Sequence, residues 1–373
     1  MTPTVKRAAR SRRFVMPLAV VLLTGLALAA CSGGDDTAAT KRTTTTPLAP
    51  TTTGPPPPTA PLTGLPDPSG ESLKRPVASL KVENTPDARP QGGIDQADVV
   101  YEEVVEGSIT RLLAMFNSHV PDVIGPVRSV RAMDPDIVWP LGGIFAFSGG
   151  TEDNVVAAQA APVNVITENN QDILVRNAAG QPPRGAPHNL YALGPPLFAA
   201  GGQPVPPQPL FQYYLKGAPP NLFAPGVLSM RIGFVAGYDP TYVWDPPSRT
   251  WKRSMQGTPH TVVGGNQIAP TNVVVQFTDY PSVSDGRTVG EGDVWVFSDG
   301  QLRMGRWVRP DHNQPARYVS ADGTPILLRP GSTWVELLPI GEAVDVEYAP
   351  PPASTTAPAT TLAPTTTTKA KKK

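Results

Sequence analysis

Two Thr/Pro-rich tracts set the limits of what this 373-residue chain can fold. Residues 32–62 carry Thr43–Thr46, Thr51–Thr53 and Pro55–Pro58, and residues 350–373 repeat that texture before ending in lysines. Neither tract holds enough apolar area to offset the entropy of ordering a chain. Their prolines favour extended polyproline II, at roughly 3.1 Å per residue. The first tract predicts a stalk, the second a solubilising tail. A folded body is expected only within residues 63–349.

Ahead of the stalk, Lys6, Arg7, Arg10, Arg12 and Arg13 precede an apolar run, Phe14–Ala30, that ends in Leu28-Ala29-Ala30-Cys31. A basic opening, an apolar stretch and small residues before a cysteine form a lipoprotein export signal, residues 1–30. Cleavage before Cys31 leaves that sulfur carrying diacylglycerol, and two acyl chains anchor where one does not. An uncleaved membrane span is the weaker alternative, because Pro17, Thr24 and Gly25 interrupt a run of marginal length. The Arg12-Arg13 pair leaves both general and twin-arginine export open. The expected location is the outer face of the cytoplasmic membrane. Cys31 is the sole cysteine, so the exported body has neither disulfides nor thiolate metal sites and relies on an ordinary core.

The formal net charge of zero hides an uneven distribution. Residues 63–349 hold 20 Lys and Arg against 29 Asp and Glu, a net charge of −9. An acidic body argues against nucleic acid as a partner, since that binding rests on neutralising phosphates.

Proline and glycine crowd residues 201–225, which reads as a connector between an N-terminal part at 63–200 and a C-terminal part at 226–349. The expected class is α+β: a mixed α/β N-terminal domain followed by a mostly antiparallel β domain. In the first, Pro76–Glu83 reads as a strand, and 98–105 with 110–117 as a hairpin. A two-residue Gly107-Ser108 loop would set Arg111 opposite Val104 and put Glu103 on the apolar face. There an unpartnered carboxylate is costly. Glu152–Ala161 reads as a helix with Thr151 as N-cap. In the second part, short alternating stretches at 230–235, 242–244, 273–277, 293–297, 302–308, 317–320, 326–328 and 333–338 predict strands. Their tryptophans are expected mostly in the core.

Several phrases are specific enough to compare with a known family. They include Arg75-Pro76-Val77-Ala78, Glu83-Asn84-Thr85-Pro86-Asp87-Ala88-Arg89-Pro90-Gln91 and Gln96-Ala97-Asp98-Val99-Val100-Tyr101-Glu102. Gly125-Pro126-Val127-Arg128-Ser129-Val130-Arg131, Ala186-Pro187-His188-Asn189-Leu190-Tyr191, Asn272-Val273-Val274-Val275-Gln276 and Pro330-Gly331-Ser332-Thr333-Trp334-Val335-Glu336 extend the likeness over most of 63–340. Together they resemble the YerB-like bacterial lipoproteins, a family described by a domain of unknown function with N- and C-terminal parts. The resemblance implies a Gram-positive-type exported lipoprotein and no particular reaction.

Charged residues concentrate in Asp98, Glu102, Glu103, Glu106, Arg111, Arg128, Arg131 and Asp134. Arg111, Arg128 and Arg131 are the candidate anion site, since guanidiniums sharing a concavity hold phosphate or carboxylate through paired hydrogen bonds. Neighbouring carboxylates would instead make a structural ion-pair network. Asp98, Glu102 and His188 are the candidate acids and bases, with Asn189 and Ser148 as polar loop residues and His260 as a histidine able to approach the same cleft. His119, His188, His260 and His312 have no metal-ligand spacing, and no nucleophile elbow, phosphate loop or dinucleotide fingerprint occurs. No cofactor follows from the sequence. The leading expectation is a binding or scaffold lipoprotein of the envelope, with a cell-wall polymer or envelope protein as partner. The alternative is an enzyme acting on phosphate-bearing or glycan envelope material.

Overall fold

The computed structural model describes residues 57–201, 207–214, 226–235 and 237–350; the leader, Cys31, most of the stalk and the terminal tail lie outside the described residues. The first part opens with β1 (Ala78–Glu83), which pairs antiparallel with β3 (Ile109–Phe116), itself hairpinned to β2 (Val99–Val105). Next come β4 (Val123–Ile124), α1 (Asp134–Val138), β5 (Ile144–Ala146), α2 (Glu152–Ala160) and β6 (Asn164–Ile166). β7 (Leu174–Arg176), β8 (Leu190–Leu193) and α3 (Gly194–Ala199) complete it. Thr151 caps α2 as its side chain predicts, accepting from the Asn154 N–H at 3.4 Å.

The second part is almost all strand. It comprises β9 (Val227–Ile232), β10 (Pro240–Asp245), β11 (Thr250–Met255), β12 (Thr258–Pro259) and β13 (Asn272–Thr278). β14 (Gly290–Ser298), β15 (Gln301–Arg309), β16 (Arg317–Val319), β17 (Thr333–Pro339) and β18 (Val344–Tyr348) follow. α-Helix is limited to three short segments among the described residues, so the chain is α+β with sheet dominant.

One sheet runs through both parts. Its order is β16-β15-β14-β13-β17-β2-β3-β1-β5-β6, and the junction is the parallel pair β17–β2, with Thr333 opposite Val99 and Leu337 opposite Glu103. A second sheet, β12-β11-β10-β9-β18, packs Tyr242, Trp251, Met230 and Ile232 against Val104, Val273, Val275 and Leu338 of the large one. β4, β8 and β7 form a small third sheet. Because β1 and β2 are covered on both faces, every residue in them is buried, charged ones included.

Residues between the two parts also enter the core. Leu210 and Phe211 are buried against the face that carries Tyr101, Met115 and Val335, and the Tyr213 hydroxyl donates to the Leu62 carbonyl at 2.5 Å. Leu62 itself is fully buried, so packing begins inside the stretch the sequence assigns to the stalk. Each such side chain removed from water contributes about 1.5–3 kcal/mol, enough to order a few residues of an otherwise Pro/Thr-rich tract.

The β2–β3 hairpin corrects the predicted register. Val105 pairs with Ile109 and Glu103 with Arg111, so the loop is Glu106-Gly107-Ser108 rather than two residues. Gly107 at φ 82° and Ser108 at φ 55° supply the left-handed turn that a three-residue loop uses. One residue of slip moves a side chain to the other face. Arg111 therefore stands beside Glu103 instead of Val104, and Glu102 lies on the opposite side of the sheet.

An arginine cluster at the end of the central strands

Gly125 starts the segment that builds the cluster. Its φ of 147° and the 2.9 Å that a Cβ would leave to Tyr191 make glycine necessary here. The chain then runs along β1: the Glu83 N–H donates to the Pro126 carbonyl at 2.9 Å and the Arg128 N–H to the Lys81 carbonyl at 2.8 Å. On its other side, the Ser148 N–H donates to the Arg128 carbonyl and the Val130 N–H to the Gly149 carbonyl, each at 2.9 Å. Clamped from both sides, residues 126–131 project Arg128 and Arg131 toward the position Arg111 reaches from β3.

The three guanidiniums share one locality. Arg111 Nη1 and Arg131 Nη1 both donate to the Ser129 carbonyl, at 3.1 and 3.2 Å. Arg131 Nε pairs with Glu106 Oε2 at 2.7 Å, while Arg128 Nε stands 3.5 Å from Glu83 Oε2. Burial, then the charges of Arg131 and Arg128, push Arg111 down to about 10. The Nε–H groups of Arg111 and Arg128 are buried without an acceptor. Leaving one buried donor unsatisfied costs about 1–3 kcal/mol.

A buried triad underlies the cluster. Lys81 Nζ donates to Glu103 and to Asp134 Oδ1, the latter at 2.8 Å, and all three side chains are inaccessible. Burial and the neighbouring Asp134 push Glu103 up to about 8, so its carboxyl holds a proton through much of the neutral range. Asp134 Oδ2 also accepts from the Arg131 N–H at 2.7 Å, which ties the triad to the cluster above it. Although burial opposes ionisation of Glu106, the Ser284 hydroxyl and Arg131 hold its carboxyl below the usual range.

His188 joins this group through Glu83. Its Nδ1 lies 2.9 and 3.0 Å from the two Glu83 oxygens, and Thr85 Oγ1 donates to the same carboxylate at 2.8 Å. A carboxylate on Nδ1 orients the ring and turns Nε2 away from Glu83, an arrangement suited to proton exchange. Ser148 Oγ lies 3.5 Å from Ser129 Oγ, next to Arg128 in the chain. Asn189 is engaged elsewhere, donating to Asn177 Oδ1 at 3.1 Å and accepting from Arg176 at 2.9 Å.

Two of the acids expected here are not part of it. Asp98 accepts from the Asn117 and Ser118 N–H groups at 2.6 and 2.8 Å and from the Ser118 hydroxyl, fixing the loop after β3. Glu102 belongs to a closed network on the other face of the sheet. It binds Arg253, whose Nε donates to Tyr242 Oη at 2.9 Å, and Tyr242 donates to Glu336. Burial and the facing Glu102 push Glu336 well above the carboxylate range. His260 lies in that network too, away from His188, with Nε2 on Gln91 Oε1 at 2.9 Å. Burial and Arg253 keep it neutral. Among the described residues, no three His, Asp or Glu side chains group as metal ligands.

Arg111 is buried, while Arg128 and Arg131 are partly exposed. Two cavities, of about 430 and 280 Å³, lie elsewhere, the first beside Trp139 and Asn164, the second beside Arg89 and His260. Sequence reasoning missed Glu83, Lys81 and Arg253 as site or network members. The only available signal for the first two was their place at alternate positions of an otherwise apolar strand.

Comparison with known proteins covers the same span. Residues 62–202 match the family model "Protein of unknown function (DUF3048) N-terminal domain" and residues 230–335 its C-terminal domain. The chain is 29% identical over 308 residues to "Putative lipoprotein YerB" of Bacillus subtilis (strain 168), covering 77% of this chain and 88% of that one. The crystal structure of the YerB protein from Bacillus subtilis superposes with a TM-score of 0.65 at 24% identity, over 77% of this chain and 99% of that chain, and shows the shared fold. With both halves of the model matched in order and the fold in common, this chain belongs to the DUF3048 family.

Proposed function

We propose that the protein is a lipid-anchored binding protein of the cell envelope that takes an anionic group of its ligand with Arg111, Arg128 and Arg131. The observation that carries this reading is the pair of buried, acceptor-free Nε–H groups on Arg111 and Arg128 within a cluster of three guanidiniums. A phosphate or carboxylate bound at the partly exposed side chains of Arg128 and Arg131 relieves the mutual repulsion. The anchor is Cys31, read from its lipobox and from the name of the related lipoprotein. It holds the body at the outer face of the membrane, where wall polymers and other envelope proteins are the accessible partners.

The test is ligand-dependent thermal stabilisation of the full chain in detergent micelles, using wall fragments and polyprenyl-phosphate mimics. Binding at a hundredfold excess over Kd stabilises by about 2.7 kcal/mol. The shift is expected to vanish in Arg128→Ala and Arg131→Ala and to grow in Glu83→Gln, which removes the carboxylate that competes for Arg128. No shift with any probe, or one indifferent to all three substitutions, refutes the reading. The Glu83–His188 pair favours one second reading, a hydrolase or transferase on the same anionic material. Turnover lost in His188→Gln, with binding retained, would select it.

A further inference from the structure

Beyond the arginine cluster, Arg89 presents a charge that only Tyr238 and Glu102 ease, and those without direct contact. Its guanidinium is half-buried, yet it forms no hydrogen bond or ion pair with any described residue. Burial, then the nearby Arg253, hold it below the usual arginine range. It lines the cavity of about 280 Å³ together with Pro86, Pro90, Met255, Thr258 and His260. The walls come from two places: the short turn after β1, and the β11–β12 hairpin at the edge of the small sheet.

Gln256, Thr258 and Thr261 add neutral polar groups to the recess, while its histidine is already committed. His260 uses both ring nitrogens, Nδ1 accepting from Arg253 and Nε2 donating to Gln91. Arg253 uses its remaining nitrogens on Tyr242 and Glu102, so Glu102 balances its charge. What the recess lacks is one acceptor with one negative charge, facing Arg89. A dianion would meet only that single cation beside a neutral imidazole. The volume lies at the low end for ligand sites, roughly 300 Å³, and the prolines and Met255 supply an apolar wall.

We propose that this recess binds a small monocarboxylate, with the carboxyl group forked by Arg89 and the carbon body against Pro86, Pro90 and Met255. The carboxylate can belong to a free acid or to the end of a short peptide. This site is separate from the arginine cluster and stands or falls independently of it.

The test is methyl NMR of the full chain in detergent micelles, labelled at methionine. Butyrate, N-acetyl-alanine, N-acetyl-alanyl-alanine, N-acetyl-alaninamide and inorganic phosphate are the probes. Carboxylates are expected to shift the Met255 methyl saturably, the amide not at all, and Arg89→Met to weaken the binding at least tenfold. Preference between butyrate and the peptide acid distinguishes the two sources. The Met230 methyl, buried in the small sheet, reports whether the variant is folded. Absence of a saturable Met255 shift, an equal response to the amide, tighter binding of phosphate than of any carboxylate, or undiminished binding by folded Arg89→Met overturns the proposal. The amide comparison in the unsubstituted protein decides the matter even if the variant does not fold.

Discussion

Replacing Lys81 by methionine tests whether the buried triad supports the cluster. Methionine keeps most of the length of the side chain and removes only the ammonium that Glu103 and Asp134 share. Breaking a buried ion pair on one side costs about 3–5 kcal/mol, because it leaves charge buried without compensation. Here the cost belongs near the lower end. Glu103, already pushed up to about 8, becomes fully protonated at neutral pH once Lys81 no longer opposes it. Asp134 keeps its bond from the Arg131 N–H. We expect a loss of about 3 kcal/mol at pH 7, read from urea unfolding followed by tryptophan fluorescence. A loss below about 1 kcal/mol, the scale of an exposed pair, refutes the argument.

Two further outcomes follow from the same chemistry. Glu103 has a folded pKa above its ordinary 4.5, so its contribution to stability is complete below that value and is lost as pH rises through about 8. Glu103→Gln should therefore flatten the decline in stability between pH 5 and 8.5, and an unchanged pH profile would show that Glu103 does not titrate there. Arg253→Met strands Glu102 and leaves Tyr242 and His260 without their donor; it should cost about 3–5 kcal/mol in the same unfolding assay, and a loss under 1 kcal/mol would mean that the network is dispensable.

The alternation in β2 and β3, the Thr151 cap and seven of the second part's strands were readable because each depends on neighbours in sequence. The arginine cluster was partly readable for the same reason, since Arg128 and Arg131 sit in one short segment. The hairpin register was not. It depends on whether Glu106 joins the loop, and a difference of one residue exchanges the faces of Glu102 and Glu103. β11 escaped because Arg253 occupies an inward position between Trp251 and Met255, which breaks the apolar alternation. The Glu83–His188 pair joins residues 105 positions apart, and no local pattern carries that information.

The parallel pairing of β17 with β2 sets an order of events for the growing chain. β2 needs a neighbour that is synthesised roughly 230 residues later. At roughly 5–20 residues per second, its Val99–Glu103 edge waits about 10–50 s for that partner. Until then the first part presents an open, largely apolar ribbon, the kind that pairs with stray strands. The two halves of the family model are therefore poor units to express or export separately: each holds one side of a seam that only the complete chain can close.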